Sequence, residues 1–205
     1  MGIRRFVAID TETTGLDPEI DRVVEVAWCV FDDGVRTATH ESLVSSERPL
    51  PPVVVRLTGI TPGLLARAPP FAEIADALVA AIAGADVVVA YNAAFDRAFL
   101  VRELARVSRA LPDVPFVDPL QLVRALDDDV SHALSAVAER YGVVTAADHR
   151  ALPDAIAAGE ILVRLLPRLG AHDVGSLLTA QREAADRVLA RREEAMARAT
   201  RARGA

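Results

Sequence analysis

The sequence predicts an α/β fold in which a mixed sheet of five strands is flanked by helices. The first 44 residues contain three strand-like runs separated by turn signals, which favours an antiparallel meander. Further along, a run of valines lies between two stretches whose apolar residues recur at helical spacing. Strand, helix and strand in this order favour parallel pairing within the same sheet.

The antiparallel part of the sheet is predicted from three consecutive runs. Phe6–Ile9 is short and apolar, and we expect it to end where a polar run begins. Val23–Phe31 is apolar at every position except Glu25, as in a buried strand. Asp32-Asp33-Gly34 is a hairpin turn signal, so Val35–Val44 is expected to return beside the second strand.

The rest of the chain is predicted to be helical apart from two short strands. Glycines at 84, 142 and 170 are expected to end three of the helices. We divide the chain into a main domain at 1–170 and a helical tail at 171–205. The predicted strands are Asp86–Tyr91 and Pro115–Val117, and the predicted helices are Phe71–Ala83, Ala93–Val107, Leu120–Leu126, His132–Tyr141, Pro153–Leu169 and Val174–Arg203.

Composition excludes several classes of protein. The chain has 205 residues, a net charge of −6, one cysteine and no lysine. One cysteine excludes intramolecular disulfides and cysteine-rich zinc sites. No apolar run approaches the roughly 18–20 residues of a membrane span, and no signal-peptide core follows the first residues, so a cytoplasmic protein is expected. An acidic chain needs bound cations or local arginines to hold an anionic substrate.

Four acids lie at positions where a charged carboxylate is expected to be costly or to need a specific partner. Asp10 and Glu12 follow the first strand two residues apart, so an extended chain directs both side chains to one side. Asp96 falls in the first turn of the helix after Asn92, where the helix dipole favours an acid without any further role. Asp154 is predicted on the core side of its helix, where an isolated carboxylate needs a partner.

Considered together, these acids predict a metal site. Asp10 and Asp96 follow strands of the same predicted sheet, at the edge where open α/β sheets form ligand crevices. Carboxylates without cysteine are typical ligands of Mg²⁺ or Mn²⁺. His149, which precedes the helix of Asp154, could take a proton from an attacking water. Nuclease or phosphodiesterase chemistry follows from this combination.

Three segments in this order resemble the motifs of the DEDDh 3′→5′ exonucleases. That family includes the proofreading epsilon subunits of bacterial replicative polymerases, ribonuclease T and oligoribonucleases. The resemblance extends from about Phe6 to Leu169. The three segments are Asp10-Thr11-Glu12-Thr13-Thr14-Gly15-Leu16, Asn92-Ala93-Ala94-Phe95-Asp96 and His149-Arg150-Ala151-Leu152-Pro153-Asp154-Ala155.

The resemblance implies a ribonuclease H-like fold and a specific set of site residues. Two divalent metal ions, Mg²⁺ or Mn²⁺, would be held by the four acids, and His149 would be the general base. Thr13 would approach the terminal 3′-hydroxyl and Leu16 would wedge against the terminal base. The implied ligands are Asp10, Glu12, Asp96 and Asp154, and the implied pocket residues are Thr13, Leu16, Thr58, Asn92 and Phe95.

We therefore expect a metal-dependent 3′→5′ exonuclease that releases nucleoside 5′-monophosphates from single-stranded ends, with DNA as the favoured substrate. Two alternatives stay open at this point. One is an exonuclease for RNA, in the manner of oligoribonuclease or ribonuclease T. The other is a non-catalytic module that accompanies a polymerase. The helical tail could bind a polymerase subunit, its own domain or a second copy of the chain.

Overall fold

A computed structural model of the chain describes residues 2–127, 130–145 and 150–203. Its sheet has five strands in the spatial order β3-β2-β1-β4-β5. The pairs β1–β2 and β2–β3 are antiparallel, and the pairs β1–β4 and β4–β5 are parallel. The predicted mixed sheet is thereby confirmed. The strands are β1 (Arg5–Thr13), β2 (Val23–Asp32), β3 (Val35–Leu43), β4 (Val87–Val89) and β5 (Phe116–Val117).

The described helices include two that the sequence did not reveal. The first two helices lie between β3 and the next long helix, and each begins with a proline, which is well tolerated in a first turn. The valines at 53–55 suggested no helix because β-branched residues have low helix propensity. The helices are α1 (Pro52–Thr58), α2 (Pro62–Leu65), α3 (Phe71–Ala83), α4 (Ala93–Arg106), α5 (Pro119–Leu126), α6 (Leu134–Arg140), α7 (Ala151–Leu169) and α8 (Val174–Arg203).

The sheet is covered by helices on both faces. Because side chains alternate along a strand, Phe6 and Ala8 of β1 pack in a core with α5, α6, α7 and α8. Val7 and Ile9 point the other way, into a core with α3 and α4. This alternation sorts the residues that follow along β1: even-numbered positions face α7 and odd-numbered positions face α4.

The prediction that the first strand ends at Ile9 was wrong. β1 continues to Thr13 because its polar residues pair with β2, in a register that sets Asp10 opposite Ala27 and Glu12 opposite Glu25. Local composition suggested a loop, but the backbone hydrogen bonds of the long apolar neighbour keep this segment extended. The segment that carries the predicted ligands Asp10 and Glu12 is therefore part of the sheet.

The helix α8 packs on α5 through its first half. Leu177 and Ala184 are buried in the core on the α7 side of the sheet. Gln181 donates from Nε2 to the carbonyl of Phe116 at 3.1 Å and accepts from the amide of Asp118 at 2.6 Å. Nowhere in the described chain is a helix both long and apolar enough to cross a bilayer.

Close packing of α7 on the sheet depends on Gly159. A Cβ atom at this position would lie 2.5 Å from the Phe31 ring and 3.0 Å from the Cβ of Ala8. We expect Gly159→Ala to lower the free energy of unfolding by about 1–3 kcal/mol, because overpacking outweighs the gain in helix propensity. Chemical denaturation of the two proteins measures this difference.

Gly175→Ala is the matched control, since Gly175 is also helical but exposed and has space for a methyl group. This substitution should be neutral or stabilising by up to about 1 kcal/mol. Equal effects of the two substitutions would show that α7 does not need the close approach.

Candidate metal centre

The last residues of β1 extend beyond its parallel neighbour. β4 pairs with β1 only from Phe6 to Ala8, whereas β2 accompanies β1 as far as Thr13. After Val89 the chain leaves the sheet and enters α4. On the side where β4 has ended, Asp10–Thr13 therefore borders the start of α4 instead of a strand. Open α/β sheets form their ligand crevices at this edge.

Three carboxylates converge at this edge. Asp10 and Glu12 are at even-numbered positions of β1 and face α7, and Asp154 lies in the first turn of α7. One carboxylate oxygen from each of the three lies within 4.8 Å of the others. All three side chains are half-buried, which leaves the cluster accessible from outside.

The fourth acid approaches from the opposite face of the sheet. Asp96 is in the first turn of α4 and is almost completely buried. Thr11, which lies between Asp10 and Glu12 and faces α4, donates from Oγ1 to Asp96 Oδ1 at 2.8 Å. This bond fixes Asp96 next to the other acids, although its carboxylate is outside the group of three.

Crowding of acids changes their protonation. Removal from water, followed by the negative charges of Asp96 and Asp154, raises the pKa of Asp10 well above its usual value. Removal from water and the charges of Asp154 and Glu25 raise the pKa of Glu12 to about 8. Burial raises the pKa of Asp96 to about 7, although the bond from Thr11 opposes the shift.

The chemistry of this cluster fits a hard divalent cation. Its donors are carboxylate oxygens from two elements, with a fourth carboxylate beside them, and Mg²⁺ and Mn²⁺ prefer such oxygen ligands. A cation would also remove the repulsion that raises these pKa values. Asp10, Glu12 and Asp154 could hold it directly, and Asp96 is placed to bind a second ion or to support the first.

A cavity of about 210 Å³ opens beside the cluster. Four of the five predicted pocket residues line it, namely Thr13, Leu16, Thr58 and Phe95. Leu16 is the most exposed of these, with 84% of its surface accessible, whereas Thr58 is buried. The cavity is lined by Thr11, Glu12, Thr13, Gly15, Leu16, Val54, Leu57, Thr58 and Phe95.

The loop that carries Leu16 is held by hydrogen bonds. The carboxylate of Asp21 accepts from the hydroxyl of Thr14 at 2.9 Å and from the amide of Asp17 at 3.1 Å. Arg106 of α4 donates to the carbonyls of Pro18 and Glu19, at 2.9 and 3.1 Å. Leu16 thus projects from an ordered turn.

Asn92 does not line this cavity. It occupies the N-cap position of α4 as predicted, but its side chain makes no capping bond, and its backbone is left-handed with φ 70° and ψ 48°. Asparagine tolerates this conformation better than other residues with a side chain. Its backbone N–H donates to Asp118 Oδ1 at 3.0 Å, so the turn from β4 into α4 is tied to the start of α5.

One predicted site residue lies outside the described chain, and one residue that shapes the site gave little signal in the sequence. His149, the predicted base, lies outside the described residues. Glu25 was noticed only as a polar interruption in an apolar run, yet it lies opposite Glu12 and is 1% exposed. A lone acid inside a strand of buried residues is itself a signal that a partner must exist.

Comparison with known proteins is consistent with this site. The sequence model of the exonuclease family RNase_T matches residues 7–162, which include Asp10, Glu12, Asp96 and Asp154. The chain is 36% identical to a DNA polymerase III subunit epsilon-like protein of Rhodobacter capsulatus over 187 residues, or 87% of this chain and 26% of that one. It is 33% identical to the DNA polymerase III subunit epsilon of Treponema pallidum over 164 residues, or 78% of this chain and 76% of that one.

A solved structure shares the architecture. Exonuclease X in complex with 5′ overhanging duplex DNA superimposes with a TM-score of 0.67 at 25% identity, covering 86% of this chain and 99% of that one. The chain spans about a quarter of the length of the Rhodobacter protein and 12% of that of a DNA polymerase III PolC-type protein of Oceanobacillus iheyensis. The likeness to those two proteins concerns one segment of each.

The raised pKa values predict how the metal-free protein responds to pH. The folded chain holds protons on these carboxyls that the unfolded chain has released, so the free energy of unfolding should fall as the pH rises from 4.5 to about 8. Each group contributes at most about 1.4 kcal/mol per pH unit. Glu12→Gln removes one such group and should flatten the slope, as measured by denaturant unfolding in chelator.

Added Mg²⁺ should reverse the trend, stabilising the protein more at about pH 8.5 than at about pH 5.5, because bound carboxylates must lose their protons. Glu73→Gln, at an exposed acid of α3, is the matched control and should retain the wild-type slope. A Glu12→Gln protein with the wild-type slope would contradict the assigned protonation.

Proposed function

The chain belongs to the exonuclease family, and from this premise we propose that it is a metal-dependent 3′→5′ exonuclease that releases nucleoside 5′-monophosphates from single-stranded ends. The observation that carries the proposal is the convergence of Asp10, Glu12 and Asp154, with Asp96 beside them, next to a cavity at the sheet edge.

The four acids are proposed to hold two Mg²⁺ or Mn²⁺ ions. Such ions, when bound, supply charge neutralisation for an in-line displacement at phosphorus. Asp10, Glu12 and Asp154 reach the centre from the α7 side of the sheet, and Asp96 reaches it from the α4 side.

The proposed reaction is hydrolysis of the last phosphodiester bond. His149 accepts a proton from the attacking water, the water oxygen bonds to phosphorus, and the bond from phosphorus to the 3′-oxygen of the preceding nucleotide breaks. The departing 3′-oxygen takes up a proton from solvent water, so the products are a nucleoside 5′-monophosphate and a chain with a new 3′-hydroxyl.

The cavity beside the cluster is proposed to hold the terminal nucleotide. Thr13 approaches the 3′-hydroxyl, Leu16 packs against the base, and Thr58 and Phe95 line the sides. Its volume of about 210 Å³ accommodates part of one nucleoside. The cavity opens to solvent, so the rest of the nucleic-acid chain can continue outward. Asn92, which does not line the cavity, acts through the backbone turn that sets the start of α4.

DNA is the proposed substrate. The Rhodobacter and Treponema relatives are named as DNA polymerase III epsilon-like and epsilon proteins, and the structural neighbour holds an overhanging DNA duplex. These names also support a cytoplasmic location and a polymerase subunit as partner. We propose 1–170 as the exonuclease domain and 171–205 as a tail whose first part packs on that domain, and whose exposed remainder, with Leu189 on α8, would bind such a partner.

Asp10→Asn is expected to abolish the activity. The substitution removes a ligand charge, and turnover on a 5′-labelled single strand should fall by at least about 100-fold, the loss typical even for outer partners of metal ligands. Matched DNA and RNA strands of several lengths, with Mg²⁺ and with chelator, give product ladders that measure both polarity and preference.

Glu73→Gln should leave the ladders unchanged, because this exposed acid of α3 is not part of the cluster. Full activity of Asp10→Asn would overturn the metal assignment. Shortening of RNA in preference to DNA would instead assign the chain to the RNA-directed exonucleases.

His149→Ala tests the base. Turnover should fall by about 10²–10⁴-fold, while Mn²⁺ affinity measured by calorimetry stays within a few-fold of the wild-type value. His132→Ala is the control histidine, because His132 bonds the carbonyl of Asp127 and lies outside the cluster. Unchanged turnover in His149→Ala at neutral pH would remove the proposed role.

A further inference from the structure

Asp154 is the only member of the three-carboxylate group that does not come from β1. It lies in the first turn of α7, whereas Asp10 and Glu12 are fixed by the backbone pairing of β1 with β2. Like charges repel, so α7 needs an attachment near Asp154 that keeps its first turn against the sheet.

Glu25 of β2 supplies that attachment. Its carboxylate accepts two bonds from Nε of Arg150, at 2.9 and 3.0 Å, and a further bond from Nη2. It also accepts from the amide of Ala151 at 2.9 Å. Glu25 is 1% exposed and the Arg150 side chain is 39% exposed, so the pair is shielded from solvent on the carboxylate side.

This contact takes the place of a local helix cap. Arg150 is at the N-cap position of α7, but its side chain makes no capping bond to the helix. The carboxylate of Glu25, 126 residues earlier in the chain, instead receives the Ala151 amide at the positive end of the helix. The start of α7 is thus capped by the sheet itself.

The pair also adjusts the charge around Glu12. Glu25 lies directly opposite Glu12 in the antiparallel register, and like charges in that position destabilise a sheet. The positive charge of Arg150 lowers the pKa of Glu12, whereas the neighbouring acids raise it. Arg150 therefore binds the Glu25 carboxylate at the start of α7. Its positive charge also compensates the negative charge of Glu25, which would otherwise add to the repulsion within the cluster.

We propose that Glu25 and Arg150 are positioning residues of the metal centre, which hold the first turn of α7 on β2 so that Asp154 meets Asp10 and Glu12. This inference rests on the proposed function in so far as the three carboxylates bind a metal. Neither residue needs to touch the ion or the substrate.

Arg150→Gln separates positioning from simple electrostatics, because the two explanations predict opposite signs. If Arg150 acted only through its charge, removing a positive group near the cluster would tighten cation binding. If Arg150 positions α7, its loss should weaken Mn²⁺ binding by about 10–100-fold, as for other outer partners of metal ligands. Arg150→Lys, which keeps one charged donor, should recover part of the affinity.

The experiment measures Mn²⁺ affinity of the full chain by calorimetry, without any nucleic acid, for the wild type and for Glu25→Gln, Arg150→Gln and Arg150→Lys. Amide hydrogen exchange at Ala151 is a second measurement. It should speed up in Glu25→Gln, since that amide loses a charged acceptor. If Glu25→Gln does not fold, the Arg150 variants decide the question, because their side chain is partly exposed.

Glu103→Gln is the matched control. Glu103 is also a fully buried acid that binds an arginine and the next amide: it accepts from Arg22 at 2.7 and 3.0 Å and from the Val23 amide at 3.2 Å. It accepts one further bond, from Arg106 of its own helix at 3.0 Å. This second pair joins α4 to β2 and includes none of the three clustered carboxylates. Its loss should lower the melting temperature and leave Mn²⁺ affinity within a few-fold of the wild-type value.

Mn²⁺ binding by Arg150→Gln that equals or exceeds the wild-type affinity would overturn the inference. So would an equal loss of affinity in Glu103→Gln, because general destabilisation would then explain both. A wild-type chain that binds Mn²⁺ but hydrolyses no nucleic acid would overturn the proposed function only, and the affinities of the variants would still decide on positioning. Failure of the wild type to bind Mn²⁺ would overturn both.

Discussion

Repulsion among carboxylates that the fold brings together is the constraint on which the site depends. Asp10, Glu12, Asp96 and Asp154 come from three elements and reach the same sheet edge from both faces. Each additional acid raises the free energy of the charged state of the others. Three sets of contacts hold these groups together against that repulsion: the pairing of β1 with β2, the bond from Thr11 to Asp96, and the attachment of α7 to Glu25.

The alternation of side chains along β1 determines which face of the sheet each β1 residue of the site contacts. Positions 10 and 12 face α7 and supply acids, whereas position 11 between them faces α4 and holds the acid of that helix. A single strand thus organises ligands on two sides. This also explains why a net charge of −6 is compatible with an anionic substrate: part of the negative charge is gathered at one edge, where cations can compensate it.

The sequence was sufficient for what depends on local pattern and insufficient for what depends on distant pairing. Alternation and apolar runs predicted the five strands and the long helices, and the spacing of motifs predicted the acids. The strand end at Ile9 was misplaced because the residues after it are polar, and only the register with β2 keeps them extended. The partner of Glu25 could not be identified, since 125 residues separate it from Arg150. Asn92 was correctly placed at a helix start, but a left-handed backbone, which asparagine tolerates, accounts for it rather than a capping side chain.

The bonds of Gln181 have a consequence for where the molecule can be divided. The family match ends at residue 162, yet Gln181 of α8 bonds the carbonyl of Phe116 and the amide of Asp118. The carboxylate of Asp118 in turn accepts a hydrogen bond from the backbone N–H of Asn92. Leu177 fills the core beneath the same strand edge. The stretch matched by the family model is therefore shorter than the stretch that packs together, and a boundary drawn at residue 162 would cut through one packed core.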